Sequence, residues 1–153
     1  MHQICTDIDN SRVIRYCNNE AINLILSSYA DQAKEVGIDI QILVTATDFA
    51  RFQITDLCSL FANALENAIH ACKKIPASEK RYITLKVFEK NDRICVNIAN
   101  NYIQNPVFEN EIPTSHKANH GIGVRSMISV VEKYHGVYGF FTENREFRFQ
   151  ASL

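Results

Sequence analysis

The stretch "DLCSLFANALENAIHAC", residues 56–72, has the spacing of an amphipathic helix. At about 100° per residue, one arc of that helix carries most of its apolar side chains. The arc consists of Leu57, Phe61, Ala64, Leu65, Ala68 and Cys72. Glu66 points away from it, toward solvent. We therefore predict a helix over residues 56–74, ended before Pro76, whose apolar arc faces a hydrophobic core.

Two asparagines, Asn63 and Asn67, lie one turn apart on the flank of this arc, with His70 beside them. Asparagine is a poor helix former because its amide competes for backbone hydrogen bonds. A pair of them on a buried margin costs stability unless something occupies the amides. One interpretation is an asparagine pair that ties the helix to a loop. The other is a site for Mg²⁺, which accepts amide oxygens and prefers substrate phosphates for its remaining ligands.

A second unusual stretch is "NHGIGVRSMI", residues 119–128, where Gly121 and Gly123 bracket Ile122 as a polar run becomes helix-patterned. Glycines at a helix start let the backbone adopt a positive φ and approach a neighbour closely. The free N–H groups and the dipole of a helix N-terminus favour an anion, typically a phosphate. Because Gly-X-Gly turns are common, this stretch alone also fits a tight loop without a ligand.

The remaining segments alternate between helix and strand patterns, after a polar lead-in over residues 1–16. Helical spacing predicts further helices over 17–36 and 124–134, and alternation predicts strands over 38–46, 81–90, 93–100, 136–141 and 146–153. Residues 101–119 form a long, irregular polar loop of the kind that is usually a lid or mobile segment. This order predicts a two-layer α/β sandwich, in which three helices cover one face of a mixed, mostly antiparallel sheet of about five strands.

The same patterns predict details of these elements. In the first helix the apolar residues at helical spacing are Ala21, Leu24, Ile25, Tyr29 and Ala33, and Gly37 ends it. Asn91 and Asp92 join two strands into a β-hairpin, and residues 142–144 join the last two strands.

The composition is that of an ordinary globular protein of one domain, with 153 residues, 46% of them hydrophobic and 22% charged. A net charge of -1 without a basic block gives no electrostatic footprint for nucleic acid. No apolar run approaches the roughly 20 residues that cross a bilayer, and the N-terminus has no signal-peptide pattern.

The five cysteines are scattered, odd in number and without a Cys-X-X-Cys pair. This argues against a disulfide framework or a zinc site and favours reduced thiols in a cytoplasmic protein. His116 and His120 are four residues apart, but they lie in a loop with no third ligand nearby, so we favour no metal role for them.

Residues 63–68, "NALENA", resemble the N-box of the GHKL (Bergerat-fold) nucleotide-binding domains, and "NHGIGV", about 50 residues later, resembles their glycine box. The spacing, the element order and the loop between the boxes agree with that family as well. Within it, the sequence most resembles the catalytic ATP-binding domain of sensor histidine kinases, especially the agr-type quorum-sensing kinases. Those have His-Gly-Ile-Gly-Leu where this chain has "HGIGV". The resemblance covers residues 17–153 and implies the Bergerat fold, with residues 1–16 leading in from an upstream helical dimerisation region.

The resemblance implies a role for each asparagine of the N-box. Asn67 would bind the Mg²⁺ that bridges the phosphates, and Asn63 would contact phosphate or metal-bound water. In GHKL members that hydrolyse ATP or clamp dimers with it, the position of Asn63 is usually a glutamate, which activates water as a general base. An amide cannot accept that proton, so Asn63 favours a kinase over an ATPase. Both asparagines are candidate catalytic residues.

The adenine reader of the family is an Asp-X-Gly-X-Gly box after the third strand, and the matching stretch here, "NIANNYIQNP", has no glycine. Agr-type kinases are similar in having an asparagine there, so the resemblance aligns Asn100 with the aspartate. Its amide can accept from the adenine N6 amino group and donate to a ring nitrogen. Asn101 is the alternative if the register differs by one, since strand residues alternate faces. A plain polar turn is the alternative without a ligand.

The lid and the glycine box would supply the phosphate contacts. Agr-type lids resemble this chain in having a lysine shortly before the glycine box, which makes Lys117 a candidate catalytic and phosphate-binding residue. The glycine box adds four nucleotide-binding candidates, which are His120, Gly121, Ile122 and Gly123. His70 occupies a place where many histidine kinases have a lysine, and is included as a candidate phosphate contact.

The implied function is that of the catalytic domain of a two-component sensor histidine kinase. With ATP and Mg²⁺ as cofactors, it would transfer the γ-phosphoryl to a histidine on a separate helical dimerisation domain, with a response regulator downstream. No phosphoacceptor histidine is recognisable in this chain. We therefore expect the cytoplasmic domain of a longer, membrane-bound bacterial receptor, a homodimer when complete and a monomer as the isolated domain. Two rivals stay open: a GHKL ATPase or ATP-gated clamp, and a degenerate GHKL domain that serves as a protein-binding module.

Overall fold

The computed structural model describes residues 14–114 and 120–153, and within them it has three helices and seven strands. The helices are α1 (Glu20–Glu35), α2 (Ile54–Lys73) and α3 (His120–Lys133). The strands are β1 (Asp39–Val44), β2 (Tyr82–Lys90), β3 (Arg93–Asn101), β4 (Val107–Glu109), β5 (Ile112–Thr114), β6 (Val137–Glu143) and β7 (Glu146–Ser152). Predictions for residues 1–13 and 115–119, Lys117 and His116 among them, lie outside the described residues. None of the described helices is both long and apolar enough to span a bilayer.

Five strands form one sheet in the order β1-β2-β3-β7-β6. β1 pairs with β2 in parallel, and the other pairs of this sheet are antiparallel. Apolar residues on one face of the central strands are buried, including Ile83, Leu85, Val96 and Ile98, and α2 packs against this region. The predicted fold class, three helices with a mixed five-stranded sheet, is confirmed.

The buried face of α2 is the predicted one, because all six residues of the apolar arc are buried and Glu66 is exposed. Leu60 and Ile69 widen the buried face, and the helix begins two residues before the predicted start. Helix α2 has enough apolar positions at one period to determine which of its sides faces the core. The orientation of α2 matters for function, since it sets where Asn63 and Asn67 point.

The buried face of α1 differs from the expectation, because Leu24 is 62% exposed whereas Asn23 and Ser27 are buried. The Asn23 amide oxygen accepts hydrogen bonds from the backbone N–H groups of Tyr16 and Cys17, at 2.6 and 3.2 Å. The Ser27 hydroxyl donates to a backbone carbonyl, 3.1 Å away, of the incoming segment. These bonds satisfy the polar side chains and turn the helix by about one position relative to its apolar spacing.

Three tight hairpin turns have two successive residues with positive φ, as type I′ turns require. They are Asn91 and Asp92, Asn110 and Glu111, and Asn144 and Arg145. The first was predicted at the correct residues. The last lies slightly later than predicted, because β6 extends to Glu143.

The middle turn belongs to a small β4–β5 hairpin in a region predicted to be irregular. That prediction is wrong for residues 107–114. Phe108 packs on Phe147 with 6.3 Å between ring centroids, and Ile112 also contacts the core. Apolar side chains thus fix the hairpin to the main sheet although its strands are only three residues long.

Helix α3 begins at His120, four residues before the predicted start, so Gly121 and Gly123 lie in its first turn. Gly123 does not have a positive φ, whereas Gly37, which follows α1, does. The expected left-handed backbone is therefore wrong for Gly123. The reason for a glycine there lies in its neighbours.

Candidate functional site

A cleft of about 320 Å³ opens between α2, α3, the sheet and the β4–β5 hairpin, within the usual size range of small-molecule sites. Its polar lining includes Asn67, His70, Lys74, Asn100, Gln104 and Asn105. Its apolar lining includes Ile98, Val124, Met127, Phe140, Phe147 and Phe149. A mostly apolar concavity with a few polar groups is typical of a ligand site.

Aromatic rings from the two C-terminal strands form part of the wall. Phe140 lies 5.0 Å from Phe149 and 6.1 Å from Phe147, measured between ring centroids. Phe140 and Phe149 are buried, and Phe147 is half-buried. Such a wall favours a flat apolar group, and sequence reasoning missed it because strands predicted only by alternation do not show which rings converge.

Two sequence motifs meet beside the cleft, where Asn67 and Val124 line it and Asn63 and Gly123 adjoin them. A Cβ atom placed on Gly123 would lie 3.3 Å from Asn63 Oδ1 and 3.7 Å from Asn67 Oδ1. The first distance is tighter than ordinary van der Waals contact, so Gly123 allows α3 to approach both amides closely. The asparagines of α2 and the glycine box of α3, predicted as parts of one site, are therefore neighbours in space.

The two amides present their oxygens toward Gly123, because their nitrogens bond elsewhere. Asn63 Nδ2 donates to the carbonyl oxygen of Ser59, one turn earlier, at 2.9 Å. Asn67 Nδ2 lies 3.8 Å from Met127 Sδ, a weak acceptor. No described residue donates to either amide oxygen. Two amide oxygens thus point into the space beside the first turn of α3.

At another part of the cleft, Asn100 and Asn101 have separate environments. Asn100 lines the cleft, is only 3% exposed, and donates from Nδ2 to the carbonyl of Asn101 at 3.0 Å. Its side-chain oxygen has no donor among the described residues. The Asn101 amide instead accepts from the N–H of Tyr82 at 2.9 Å and donates to the carbonyl of Lys80 at 2.8 Å. Asn101 therefore ties β3 to the start of β2, whereas Asn100 faces the cleft.

Cys72 lies close to this junction, with its thiol held against backbone carbonyls. Its thiol donates to the carbonyl of Tyr82 at 3.4 Å and lies 3.6 Å from the carbonyl of Asn101. Burial raises the pKa of the Cys72 thiol to about 11, so the thiol stays protonated near neutral pH.

The charge of the cleft favours an anion. Lys74 is the one Lys or Arg among the described residues that line it, and none of them is acidic. His70 lines the cleft one turn before Lys74. Sequence reasoning missed Lys74, although its position four residues after His70 places it on the same side of α2.

Two predicted residues of the glycine box are described only in part. His120 begins α3 and Gly121 follows in the same turn, but the His120 side chain lies outside the described part of the structure. Ile122 is 65% exposed and does not line the cleft.

Residues 52–153 match the GHKL domain, and the chain therefore belongs to the GHKL family. No curated protein matches the chain. Among GHKL proteins, the catalytic domains of histidine kinases are the ones that this fold resembles.

Solved structures show that resemblance at low sequence identity. The catalytic domain of the histidine kinase ThkA has a TM-score of 0.68 and 18% identity, covering 88% of this chain and 90% of that one. The mycobacterial sensor histidine kinase MprB has a TM-score of 0.66 and 14% identity, covering 88% of this chain and 91% of MprB. Full-length ShkA in complex with AMPPNP has a TM-score of 0.64 and 13% identity, and the match covers 86% of this chain but 28% of ShkA. At these identities the likeness establishes the fold.

Proposed function

We propose that this chain contains the catalytic domain of a two-component sensor histidine kinase, which binds Mg·ATP and passes the γ-phosphoryl to a histidine on a separate helical dimerisation domain. The observation that carries the proposal is the close approach of Gly123 to the amide oxygens of Asn63 and Asn67, which would lie 3.3 and 3.7 Å from a Cβ atom on Gly123. Two motifs more than 50 residues apart in sequence meet there, and one of these asparagines, Asn67, lines the cleft together with Asn100.

The end of the cleft beside Gly123 suits a magnesium-bound triphosphate. The described residues contain no cluster of three His, Cys, Asp or Glu side chains, so phosphate and water oxygens would complete a coordination shell begun by amide oxygens. Asn67 would hold the metal, and Asn63 would contact a phosphate or a metal-bound water. The metal, when bound, would neutralise charge on the phosphate oxygens. The first turn of α3 offers N–H groups and a favourable dipole to the same anion.

Two cationic side chains would add to this anion site. Lys117 stays a predicted phosphate contact, and Lys74 brings a positive charge to the described part of the cleft. His70 lies in the last turn of α2, between Asn67 and Lys74 in sequence, and would face the same ligand. His120 stays a predicted member of the glycine box.

The adenine would occupy the apolar part of the cleft beside Asn100. The Asn100 side-chain oxygen can accept from the adenine N6 amino group. Its amide nitrogen, which now bonds the neighbouring carbonyl at 3.0 Å, carries a second hydrogen that can donate to a ring nitrogen. The wall that contains Phe140 and Phe149 would cover the ring faces.

A kinase is favoured over an ATPase because no carboxylate lines the described part of the cleft. Asn63 occupies the place where a general base would act on water, and its nitrogen is held by the Ser59 carbonyl. An amide in that position can orient a phosphate but cannot accept a proton from water. The remaining catalytic contribution would be the positioning of ATP for a nucleophile that another domain supplies.

The wider assignment follows from the same proposal. The domain would occupy residues 17–153 and belong with the agr-type quorum-sensing kinases. A response regulator would receive the phosphoryl group downstream. The complete protein would be a homodimeric bacterial membrane receptor with this domain in the cytoplasm.

Steady-state phosphate release with Mg·ATP tests the choice of reaction. The kinase assignment predicts very slow release from the chain alone, together with transfer from γ-labelled ATP to an added helical histidine domain. Sustained hydrolysis at tens of turnovers per minute without that domain would contradict it and support the ATPase alternative. Binding of nucleotide with neither activity would support the protein-binding alternative.

A further inference from the structure

Ser59 sets the orientation of the Asn63 amide. Asn63 Nδ2 donates to the Ser59 carbonyl oxygen at 2.9 Å and lies 3.3 Å from the Ser59 hydroxyl oxygen. A carbonyl oxygen only accepts hydrogen bonds, so the NH₂ end of the amide must face it. The amide oxygen is consequently turned the other way, toward Gly123.

A second serine, on α3, extends this arrangement across the helix pair. The hydroxyl oxygens of Ser59 and Ser126 lie 3.2 Å apart, within hydrogen-bonding distance. When Ser59 Oγ accepts from Asn63, its own hydrogen is free to be donated to Ser126 Oγ. A chain of bonds then runs from Asn63 through Ser59 to Ser126, which lies three residues after Gly123 on α3.

The described residues that line the cleft include neither serine nor Asn63, but the Asn63 amide is among the atoms nearest to a Cβ placed on Gly123, and the serine side chains are not. Asn67 has no comparable support, because its nitrogen contacts only a thioether sulfur at 3.8 Å among the described residues. The terminal torsion of asparagine is otherwise broad, so an unsupported amide samples several orientations. Support of this kind reduces the ordering that binding would otherwise require.

We propose that Ser59 and Ser126 are positioning residues that act through Asn63 and hold its amide oxygen toward the triphosphate of the bound nucleotide. This inference rests on the proposed function. It explains why α2 carries a hydroxyl one turn before Asn63 and α3 carries one opposite it. It also couples the orientation of Asn63 to the placement of the glycine box, since both depend on α3.

The test uses the full chain and compares two probes, AMPPNP with Mg²⁺ and adenosine. Adenosine has no phosphates, so it reports on the adenine end alone. Ser59→Ala keeps the bond from Asn63 Nδ2 to the backbone carbonyl and removes the hydroxyl with its bonds to Asn63 and Ser126. It should weaken AMPPNP binding about 3- to 10-fold and leave adenosine binding unchanged. Ser59→Thr keeps a hydroxyl and should restore most of the affinity. Alanine is a better helix former than serine, so Ser59→Ala should fold.

Ser126→Ala should change AMPPNP binding in the same direction, and the double variant should lose little more than Ser59→Ala, because the two hydroxyls act in one chain. Ser129→Ala is the matched control, since Ser129 is an exposed serine on the same helix. It should bind both probes as the wild type does.

Each other result has a definite meaning. Equal losses for AMPPNP and adenosine, or a lowered melting temperature without a change in the ratio of the two affinities, would show a structural role and overturn the inference. Unchanged affinities in Ser59→Ala and Ser126→Ala would overturn the inference as well. The proposed function would then still stand, provided that the wild type binds AMPPNP. Failure of the wild type to bind either probe would overturn the proposed function and this inference with it.

Discussion

Gly123 lies so close to Asn63 that a methyl group added to Gly123 would come within 3.3 Å of the Asn63 amide oxygen. Since Gly123 has no positive φ, this position requires the absence of a side chain and not an unusual backbone conformation. The same methyl group would lie 3.7 Å from the amide oxygen of Asn67. The glycine thus keeps open the space in which the proposed phosphates would meet both amides.

Gly123→Ala should therefore impair nucleotide binding without unfolding the protein. We expect the affinity for AMPPNP with Mg²⁺ to fall about 10- to 100-fold, because small displacements of positioned groups have effects of that order. The melting temperature should stay near that of the wild type, since alanine is favoured over glycine in a helix by about 1 kcal/mol and offsets the crowding. Calorimetric titration and thermal melting measure the two quantities, with Ser129→Ala as the control. Normal affinity would show that this close approach is not needed for binding.

Asn67→Ala should abolish Mg²⁺-dependent phosphoryl transfer and leave the fold intact. Removal of one charge-stabilising contact commonly lowers a rate by about 10²- to 10³-fold. The described nitrogen bond of Asn67 is only a weak contact with Met127 sulfur, so little stability depends on it. Transfer to an added histidine domain and the melting temperature should be measured together. If activity and melting temperature fall together, the asparagine is structural.

Asn100→Asp should weaken ATP binding about 5- to 150-fold. A carboxylate accepts a hydrogen bond from the adenine N6 group but cannot donate one to the ring nitrogen. That nitrogen is then a buried acceptor without a partner, which costs about 1–3 kcal/mol. Asn100→Ala should lose at least as much, and both variants should discriminate less between ATP and GTP. Competition binding with the two nucleotides measures the affinity and the preference. Unchanged binding in both variants would mean that adenine is recognised elsewhere.

Asn101→Ala is the matched control for the Asn100 variants. It should lower the stability of the protein and leave nucleotide preference unchanged. It removes bonds to the carbonyl of Lys80 and the N–H of Tyr82, and leaves both backbone groups without these partners. We expect a loss of about 1–3 kcal/mol in the free energy of unfolding, with the preference for ATP over GTP retained. Urea unfolding and the same competition binding provide the measurements. If Asn101 controls nucleotide preference and Asn100 does not, the register of the adenine reader is wrong by one residue.

Asp56 should make stability depend on pH in the acid range. Its carboxylate accepts hydrogen bonds from Lys133, at 2.8 Å, and from the hydroxyl of Tyr134, and these bonds lower the pKa of Asp56 below its usual value of 3.8. A group with a lower pKa in the folded state stabilises the fold above its unfolded pKa, and this contribution is lost as the pH falls through its folded pKa. Asp56→Asn should therefore be less stable than wild type at neutral pH.

Urea unfolding of both proteins between neutral pH and the acid range measures this contribution. The difference between them should shrink as the pH falls below the unfolded pKa of about 4 and vanish below the folded one. A difference that stays constant with pH would mean that the charge of Asp56 does not contribute.

The fold was largely predictable because α2 and the main strands each carry enough apolar residues at one period to determine a buried side. The buried side of α1 was not predictable in this way. Asn23 and Ser27 are buried because they bond to the segment before the helix, and apolar spacing does not report such bonds. The β4–β5 hairpin was missed because its strands are too short for alternation to be recognised.

For the candidate site, the sequence predicted Asn63, Asn67 and Gly123, and the structure brings them together, although their roles stay predictions. Spacing gave no sign of Ser59 and Ser126, because a hydroxyl pair between two helices depends on how the helices pack. Lys74 was detectable from its spacing to His70. The separation of Asn100 from Asn101 could be expected from strand alternation, but the bonds that occupy Asn101 required the structure.

The central claim is that this cleft binds Mg·ATP, and calorimetric titration of the full chain with AMPPNP in the presence and absence of Mg²⁺ tests it most directly. We predict Mg²⁺-dependent binding with a dissociation constant of roughly 10 μM to 1 mM, equivalent to about -7 to -4 kcal/mol. Asn67→Ala should lose the dependence on Mg²⁺, and Asn100→Ala should bind weakly whether Mg²⁺ is present or not. The absence of wild-type binding at millimolar nucleotide, with or without Mg²⁺, would contradict the account.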